Sequence, residues 1–267
     1  MVLKRERKGR ILYLTLNRPE SRNAIDPEMV LSLVAAWEEY RDDKGLRCAV
    51  VTGSGDKAFS AGADLEKLVP IFTGARMPES EAEKKVKNDP TLLNRALLRD
   101  FELYKPVVAA VNGYAIGAGL EILYATDIRI AAEGVKFGLQ EVKWAIFPSG
   151  GSSVYLPRQI PYARAMEILL TGELVEANEA LGFGLVNRVV PGERLLEEAE
   201  RYAKIIAKNG PLALWAVKKA VRENSGLTIR EALQRESDIA APVFSSKDAC
   251  EGPKAFKEKR EPQYTGE

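Results

Sequence analysis

A pattern that occurs twice restricts this chain most. An apolar run, Cys48 to Val51, closes on Thr52-Gly53-Ser54-Gly55 and leads into Ala58-Phe59-Ser60-Ala61-Gly62-Ala63-Asp64-Leu65. About 60 residues later, Val107 to Val111 closes on Asn112-Gly113 and leads into Gly117-Ala118-Gly119-Leu120-Glu121. Short apolar runs bounded by turn residues read as buried strands. Recurrence at a fixed spacing marks a repeated supersecondary unit, which must stack on its neighbour to bury its apolar face. Strands alternating with helices then predict a layered α/β core.

The flanking sequence fits that frame. Val2 to Arg7 and Arg10 to Leu16 alternate around Lys8-Gly9, which predicts an N-terminal hairpin. Asp26-Pro27 supplies a cap and a first-turn proline, and Val30, Leu33, Val34 and Trp37 follow at helical spacing. Asp127 to Ala131 and Leu185 to Val190 read as further strands. The polar stretch from Glu66 to Arg99, broken by Pro70, Gly74, Pro78 and Pro90, reads as a mobile excursion. A helical stripe resumes from Leu92 to Tyr104. Beyond Pro191 the apolar spacing predicts helix to the end of the chain, so residues 1–190 are expected to form the core and 191–267 a helical segment.

Composition removes whole classes of chemistry. The sequence contains no His, so Ser-His-Asp and Cys-His nucleophile systems and His-bearing zinc sites are impossible. Acid–base work falls to Asp, Glu, Lys, Tyr or Cys. A formal net charge of +1, with no basic block, gives no electrostatic footprint for nucleic acid. Cys48 and Cys250 form no CxxC pair, and no run is long enough to span a bilayer. The charged N-terminus lacks an apolar signal core, and a cytoplasmic protein is expected.

Neither glycine segment is a nucleotide motif, because Gly117-Ala118-Gly119 lacks the third glycine of a dinucleotide fingerprint and no GxxxxGK[ST] string occurs. A Gly-Ala step that ends a loop and opens a helix does leave backbone N–H groups unpaired. Gly62-Ala63 and Gly117-Ala118 therefore offer two donors, the number suited to an enolate or tetrahedral oxygen. Glu121 and Glu141 both have apolar sequence neighbours, and a carboxyl in an apolar pocket has a raised pKa suited to acid–base catalysis.

Taken in order, several strings resemble the enoyl-CoA hydratase (crotonase) family. They are Leu16-Asn17-Arg18-Pro19 with Asn23-Ala24, Phe59 to Leu65, Lys105 to Gly113 with Gly117 to Glu121, Asp127, Phe137-Gly138 with Glu141, and Leu170-Thr171-Gly172 with Ala177. The resemblance implies an α/β, crotonase-like spiral of repeated ββα units with a C-terminal helical trimerisation segment. It implies homotrimers or hexamers (dimers of trimers), an acyl-CoA thioester substrate, and neither cofactor nor metal. By position it assigns the oxyanion-hole amides to Ala63 and Ala118, and the two water-holding acids to Glu121 and Glu141. Arg22, Ala24, Ala61, Asp64, Leu65 and Gly117 fall on its CoA-binding positions, and Phe256 and Lys259 on those that reach a neighbouring subunit's ligand. Two positions depart from the pattern: Glu66 stands where the family often has Lys, and Ala118 replaces a common Gly without losing the backbone donor. The expected reaction is hydration of a 2-enoyl-CoA. Isomerase, hydrolase or decarboxylase chemistry on the same fold, or acyl-CoA binding without turnover, are the alternatives.

Overall fold

In the computed structural model, which describes residues 1–267, ten strands form: β1 (Leu3–Lys8), β2 (Ile11–Leu16), β3 (Cys48–Gly53), β4 (Ala58–Ser60), β5 (Val107–Val111), β6 (Tyr114–Ile116), β7 (Ile128–Ala132), β8 (Lys136–Gly138), β9 (Val175–Glu176) and β10 (Arg188–Val190). They divide between a six-stranded sheet, in the order β1-β2-β3-β5-β7-β10, and a four-stranded sheet, in the order β4-β6-β8-β9. Only the hairpin pair β1-β2 and the edge pair β8-β9 are antiparallel. The pairs β3-β4, β5-β6 and β7-β8 each send one strand to each sheet, and the order β3-β5-β7 in one matches β4-β6-β8 in the other. The chain thus climbs as a spiral, one turn per repeat. The repeated unit expected from the glycine loops is one such turn.

Burial explains why the strands read as unbroken apolar runs. All five residues of β5 are fully buried, as parallel strands covered on both faces must be. The helix Pro27–Asp42 begins where Asp26 Oδ1 accepts the Met29 amide at 2.9 Å, with Pro27 in the first turn. Its buried face carries Val30, Leu33, Val34 and Trp37. Trp37 Nε1 donates to Ala96 O at 3.0 Å, and the Tyr40 hydroxyl donates to Pro106 O at 2.6 Å, so the apolar face also satisfies its polar tips. Helix Leu195–Lys208 buries Leu195, Ala199 and Ala203 in the same core.

Five expectations need correction. The stretch from Glu66 to Arg99, expected as a mobile excursion, is packed on the core: it holds helices Val69–Thr73, Glu81–Asn88 and Thr91–Ala96, with Leu68, Ile71, Val86 and Ala96 to Leu98 buried. Met77 stays exposed, and a Ser80–Glu83 capping box with the Arg76–Glu83 ion pair at 2.7 Å supplies what apolar content does not. The stripe from Leu92 to Tyr104 stops being helical after Ala96, where Leu98 takes φ +55° and reverses the chain. Gly62-Ala63 opens no helix. Asp64 instead closes a turn by accepting the Glu66 and Lys67 amides at 3.0 Å each. The strand expected from Leu185 is confined to Arg188–Val190, because Leu185 O is turned to the Arg129 guanidinium and Asn187 Oδ1 to the Arg129 amide. Finally, the C-terminal helices Pro211–Glu223, Ile229–Phe244 and Lys247–Lys257 give way to a tail pinned by Asp248, which accepts from Thr265 N at 2.7 Å and Gly266 N at 2.9 Å, and by the buried Arg47 guanidinium on Tyr264 O.

One side chain holds the first loop together. Asn23, fully buried at φ +55°, accepts from Arg18 N at 2.9 Å and donates to Ser54 O at 2.9 Å and Ala58 O at 2.8 Å. Asparagine tolerates this left-handed conformation better than most residues. Asn23→Ala is therefore expected to cost at least ~2 kcal/mol, because it strands buried backbone groups and worsens the backbone strain. Urea unfolding that gives wild-type stability would show that the loop does not depend on Asn23.

Candidate active site

The two glycine loops meet at the ends of β4 and β6. Gly62 has φ +93°, and a Cβ there would lie 2.7 Å from Ile116 O and 3.2 Å from Ala118 N. Gly119 packs so closely on Ser60 that a Cβ would collide with the Ser60 carbonyl oxygen. Gly117, at φ +54° and ψ −125°, turns the chain into the short helix Ala118–Glu121. These contacts bring the Ala63 and Ala118 backbones side by side.

Neither of those two amides has an acceptor among the bonds that organise the loops. Around Ala63, Ile25 N donates to Gly62 O at 2.8 Å and Asp64 N donates to Ile25 O at 2.9 Å, which passes over the Ala63 amide. Around Ala118, the Leu120 and Glu121 amides donate to Gly117 O, and Ala118 N–H is left at the open helix start. Two donors are thus available at one place.

Glu121 follows one turn after Ala118 and is only 4 % exposed, in contrast with the solvated face that most carboxylates occupy. Its Oε1 accepts from Gly150 N at 2.7 Å and Ser152 Oγ at 2.8 Å. Burial raises its pKa, and these hydrogen bonds oppose the rise. Glu141 begins the 3-10 turn Glu141–Trp144 and is half-buried overall, yet its Oε2 is closed to solvent and has no hydrogen-bond partner. Its Oε1 lies against Gly117, where a Cβ would stand 2.8 Å away. Burial, with a smaller contribution from the charge of Glu121, pushes the Glu141 carboxyl up to about 7. The pair therefore contains one carboxyl rich in donors and one that is poor in them. Such a pair can divide base and acid roles between its members.

The other expected residues fall into two groups. Arg22 and Ala24 lie on the loop after β2, and Ala61, Asp64 and Leu65 on the loop after β4, which packs on it: Ala61 N donates to Arg22 O at 2.9 Å, and Ala24 O accepts from Arg18 Nη1 at 2.7 Å. Arg22 and Leu65 are exposed beside the Ala63 amide. Asp64 has a committed side chain, paired with Arg18 at 2.9 Å. Burial would raise its carboxyl, but the Arg18 guanidinium and two turn amides hold it below the usual range. Phe256 and Lys259 are not brought to this site. Phe256 is exposed in the last turn of helix Lys247–Lys257 and Lys259 lies just beyond it, and the tail that follows is anchored by Arg47 beside the start of β3, whereas the loops of the site leave the strands' opposite ends. Three residues absent from the sequence expectation, Gly150, Ser152 and Tyr124, shape the Glu121 carboxylate. No sequence signal ties Gly150 to Glu121, 29 residues away.

A family pattern described as enoyl-CoA hydratase/isomerase matches residues 6–267. The chain belongs to that family. Enoyl-CoA hydratase EchA19 of Mycobacterium tuberculosis is 43% identical over 259 residues, which cover 97% of this chain and 94% of the relative. The (E)-benzylidenesuccinyl-CoA hydratase of Thauera aromatica is 39% identical, with 96% of each chain covered. A crystal structure of enoyl-CoA hydratase from Bacillus anthracis superposes with a TM-score of 0.90 at 35% identity over 100% of both chains. The spiral is thus the crotonase fold, as the sequence resemblance implied. No helix is long and apolar enough to cross a membrane.

Gly150 gives the site a sharp test. A Cβ there would collide with the Glu121 carboxylate and crowd Leu97 Cδ1 at 2.9 Å. Gly150→Ala is expected to fold but to displace Glu121, lowering turnover by about 10². Wild-type kcat in a variant with a wild-type circular-dichroism spectrum would show that the position of Glu121 is not what matters.

Proposed function

We propose that this protein is a 2-enoyl-CoA hydratase, adding water across the 2,3 double bond of an enoyl-CoA thioester to give a 3-hydroxyacyl-CoA. The observation that carries the proposal is the pairing of two unlike buried carboxyls, Glu121 and Glu141, beside two backbone amides with no acceptor. In this reading the Ala63 and Ala118 amides hold the thioester oxygen and stabilise the enolate that forms as C3 is attacked. Glu121, ionised and supported by Gly150 and Ser152, takes a proton from water as the water oxygen bonds to C3. Glu141, still protonated near neutrality, gives its proton to C2. Turnover leaves the proton on Glu121 and the charge on Glu141, and exchange with solvent restores the starting state.

The CoA portion is proposed to lie along the loops after β2, β4 and β6, past Arg22, Ala24, Ala61, Leu65 and Gly117, with Asp64 holding the turn through Arg18 rather than touching ligand. The segment 191–267 is proposed to serve assembly. Val217, Val221, Ile229, Leu233 and Phe244 are all more than half exposed there, an apolar surface suited to a second copy of the chain. Phe256 and Lys259 would then reach the ligand of a neighbouring subunit in a trimer or a dimer of trimers. The relatives named above include one for a bulky aromatic acyl-CoA. The acyl group is best identified by measuring turnover of enoyl-CoAs that differ in length, branching and ring content.

Glu121→Gln and Glu141→Gln are each expected to fold and to lower kcat by at least ~10². Near-wild-type turnover in either would remove that residue from the mechanism. The pH dependence has a defined sign. Because Glu141 must be protonated to act as acid, the wild-type rate is expected to fall as pH rises through about 7. A rate that instead climbs steadily from pH 6 to 9 would overturn the assignment of Glu141 as acid. Light scattering is expected to give the mass of a trimer or hexamer, and a monomer mass at micromolar concentration would overturn the assembly.

A further inference from the structure

Glu121 is more elaborately supported than a single buried acid requires. The Gly150 amide and the Ser152 hydroxyl both donate to Oε1 and neither to Oε2, and the Ser152 amide further favours the charged form. One of the two donors is itself held. Ser152 is fully buried at the first position of helix Ser152–Gln159, and its Oγ accepts from the Tyr124 hydroxyl at 3.3 Å. A serine hydroxyl carries one proton, so a Ser152 that accepts from Tyr124 is left to donate to Glu121. Tyr124 is in turn 6 % exposed, packs against the Tyr155 ring at a centroid distance of 6.3 Å, and has its own carbonyl tied by Gln159 Nε2 at 2.9 Å. Burial drives its phenol well above the usual range, so it stays a donor at any working pH.

We propose that Ser152, oriented by the Tyr124 hydroxyl, is a positioning residue for Glu121: it fixes Oε1 so that Oε2 is the oxygen presented to the attacking water. The proposal rests on the hydratase reading for its catalytic consequence, but not for its electrostatic one. The charged and titratable groups that bear on Glu121 are few. Arg99, whose Nη1 is spent on Ser149 O at 2.7 Å, lowers its pKa, and Glu141 and Tyr124 are the other partners through charge. With so little compensating charge, the Ser152 hydroxyl, followed by the Gly150 and Ser152 amides, is what chiefly opposes the rise that burial imposes on Glu121. Removing the hydroxyl must then move the proton affinity of Glu121 upward.

The full-length enzyme, as Ser152→Ala, Ser152→Thr and Tyr124→Phe variants, tests this by two independent measurements. The first is isotope-edited infrared titration of the ¹³C-labelled glutamate carboxyls, with the Glu121 band assigned by its loss in Glu121→Gln. The Glu121 midpoint is expected to rise by about one pH unit or more in Ser152→Ala, in the same direction but less in Tyr124→Phe, and to return toward wild type in Ser152→Thr. An unmoved midpoint in both Ser152→Ala and Tyr124→Phe would overturn the proposal, whatever reaction the enzyme catalyses. The second measurement is hydration of crotonyl-CoA as a function of pH. Ser152→Ala is expected to lose about tenfold in kcat with little change in KM, and the acid limb of its kcat/KM profile is expected to shift upward with the infrared midpoint. A shifted infrared midpoint together with an absence of hydration by the wild type would retain Ser152 as the support of Glu121 and remove the hydratase reading. Hydration by the wild type with an unchanged acid limb in Ser152→Ala would do the reverse.

Discussion

Everything chemical in this protein depends on how closely two successive turns of the spiral can approach. Gly119 lies on the backbone of Ser60, and Gly62 lies on Ile116 and Ala118, at separations that leave no room for a Cβ. A methyl group at either interface would push the turns apart. The Ala63 and Ala118 amides would then no longer share a ligand atom. The parallel order of strands in the two sheets sets the coarse spacing, and the glycine contacts set the fine spacing. Short β4 and β6, three residues each, end where these contacts begin.

The carboxyl pair shows how the same neighbourhood gives two acids different properties. Both are desolvated, which favours the neutral form of each. Glu121 gains donors because the start of helix Ser152–Gln159 is directed at it, and Glu141 gains none for its buried oxygen. Their mutual repulsion adds to the difference, since ionisation of one resists ionisation of the other. The asymmetry comes from hydrogen bonding rather than from depth alone.

Much of the fold was readable because local signals agreed with global demands. The hairpin around Lys8-Gly9, the Asp26-Pro27 helix start and the buried β5 all combine the right period with the right boundary residue. Where the signals were sparse, the reading went astray. Residues 66–99 carry few apolar side chains, and only the tertiary structure shows that Leu68, Ile71 and Val86 all point inward. At Gly62-Ala63 the expected helix was displaced by the Asp64 turn, a competition that side chains of this kind often win. The site was legible in its motif-bearing residues, taken jointly with the family resemblance. It was not legible in Ser152, a serine among polar loop residues whose partner lies 31 positions away.

The spiral also bears on how the protein comes into being. Each turn rests chiefly on the one before it, so the chain has the quasi-one-dimensional character of a repeat protein, in which structure can propagate from neighbour to neighbour. Yet no single turn owns the reactive geometry. One donor belongs to the turn containing β4 and the other to the turn containing β6, and one acid arrives only with the residues after β8. A nascent or refolding chain can therefore acquire much of its secondary structure while remaining chemically silent, and it becomes competent only when the third turn has docked on the first two.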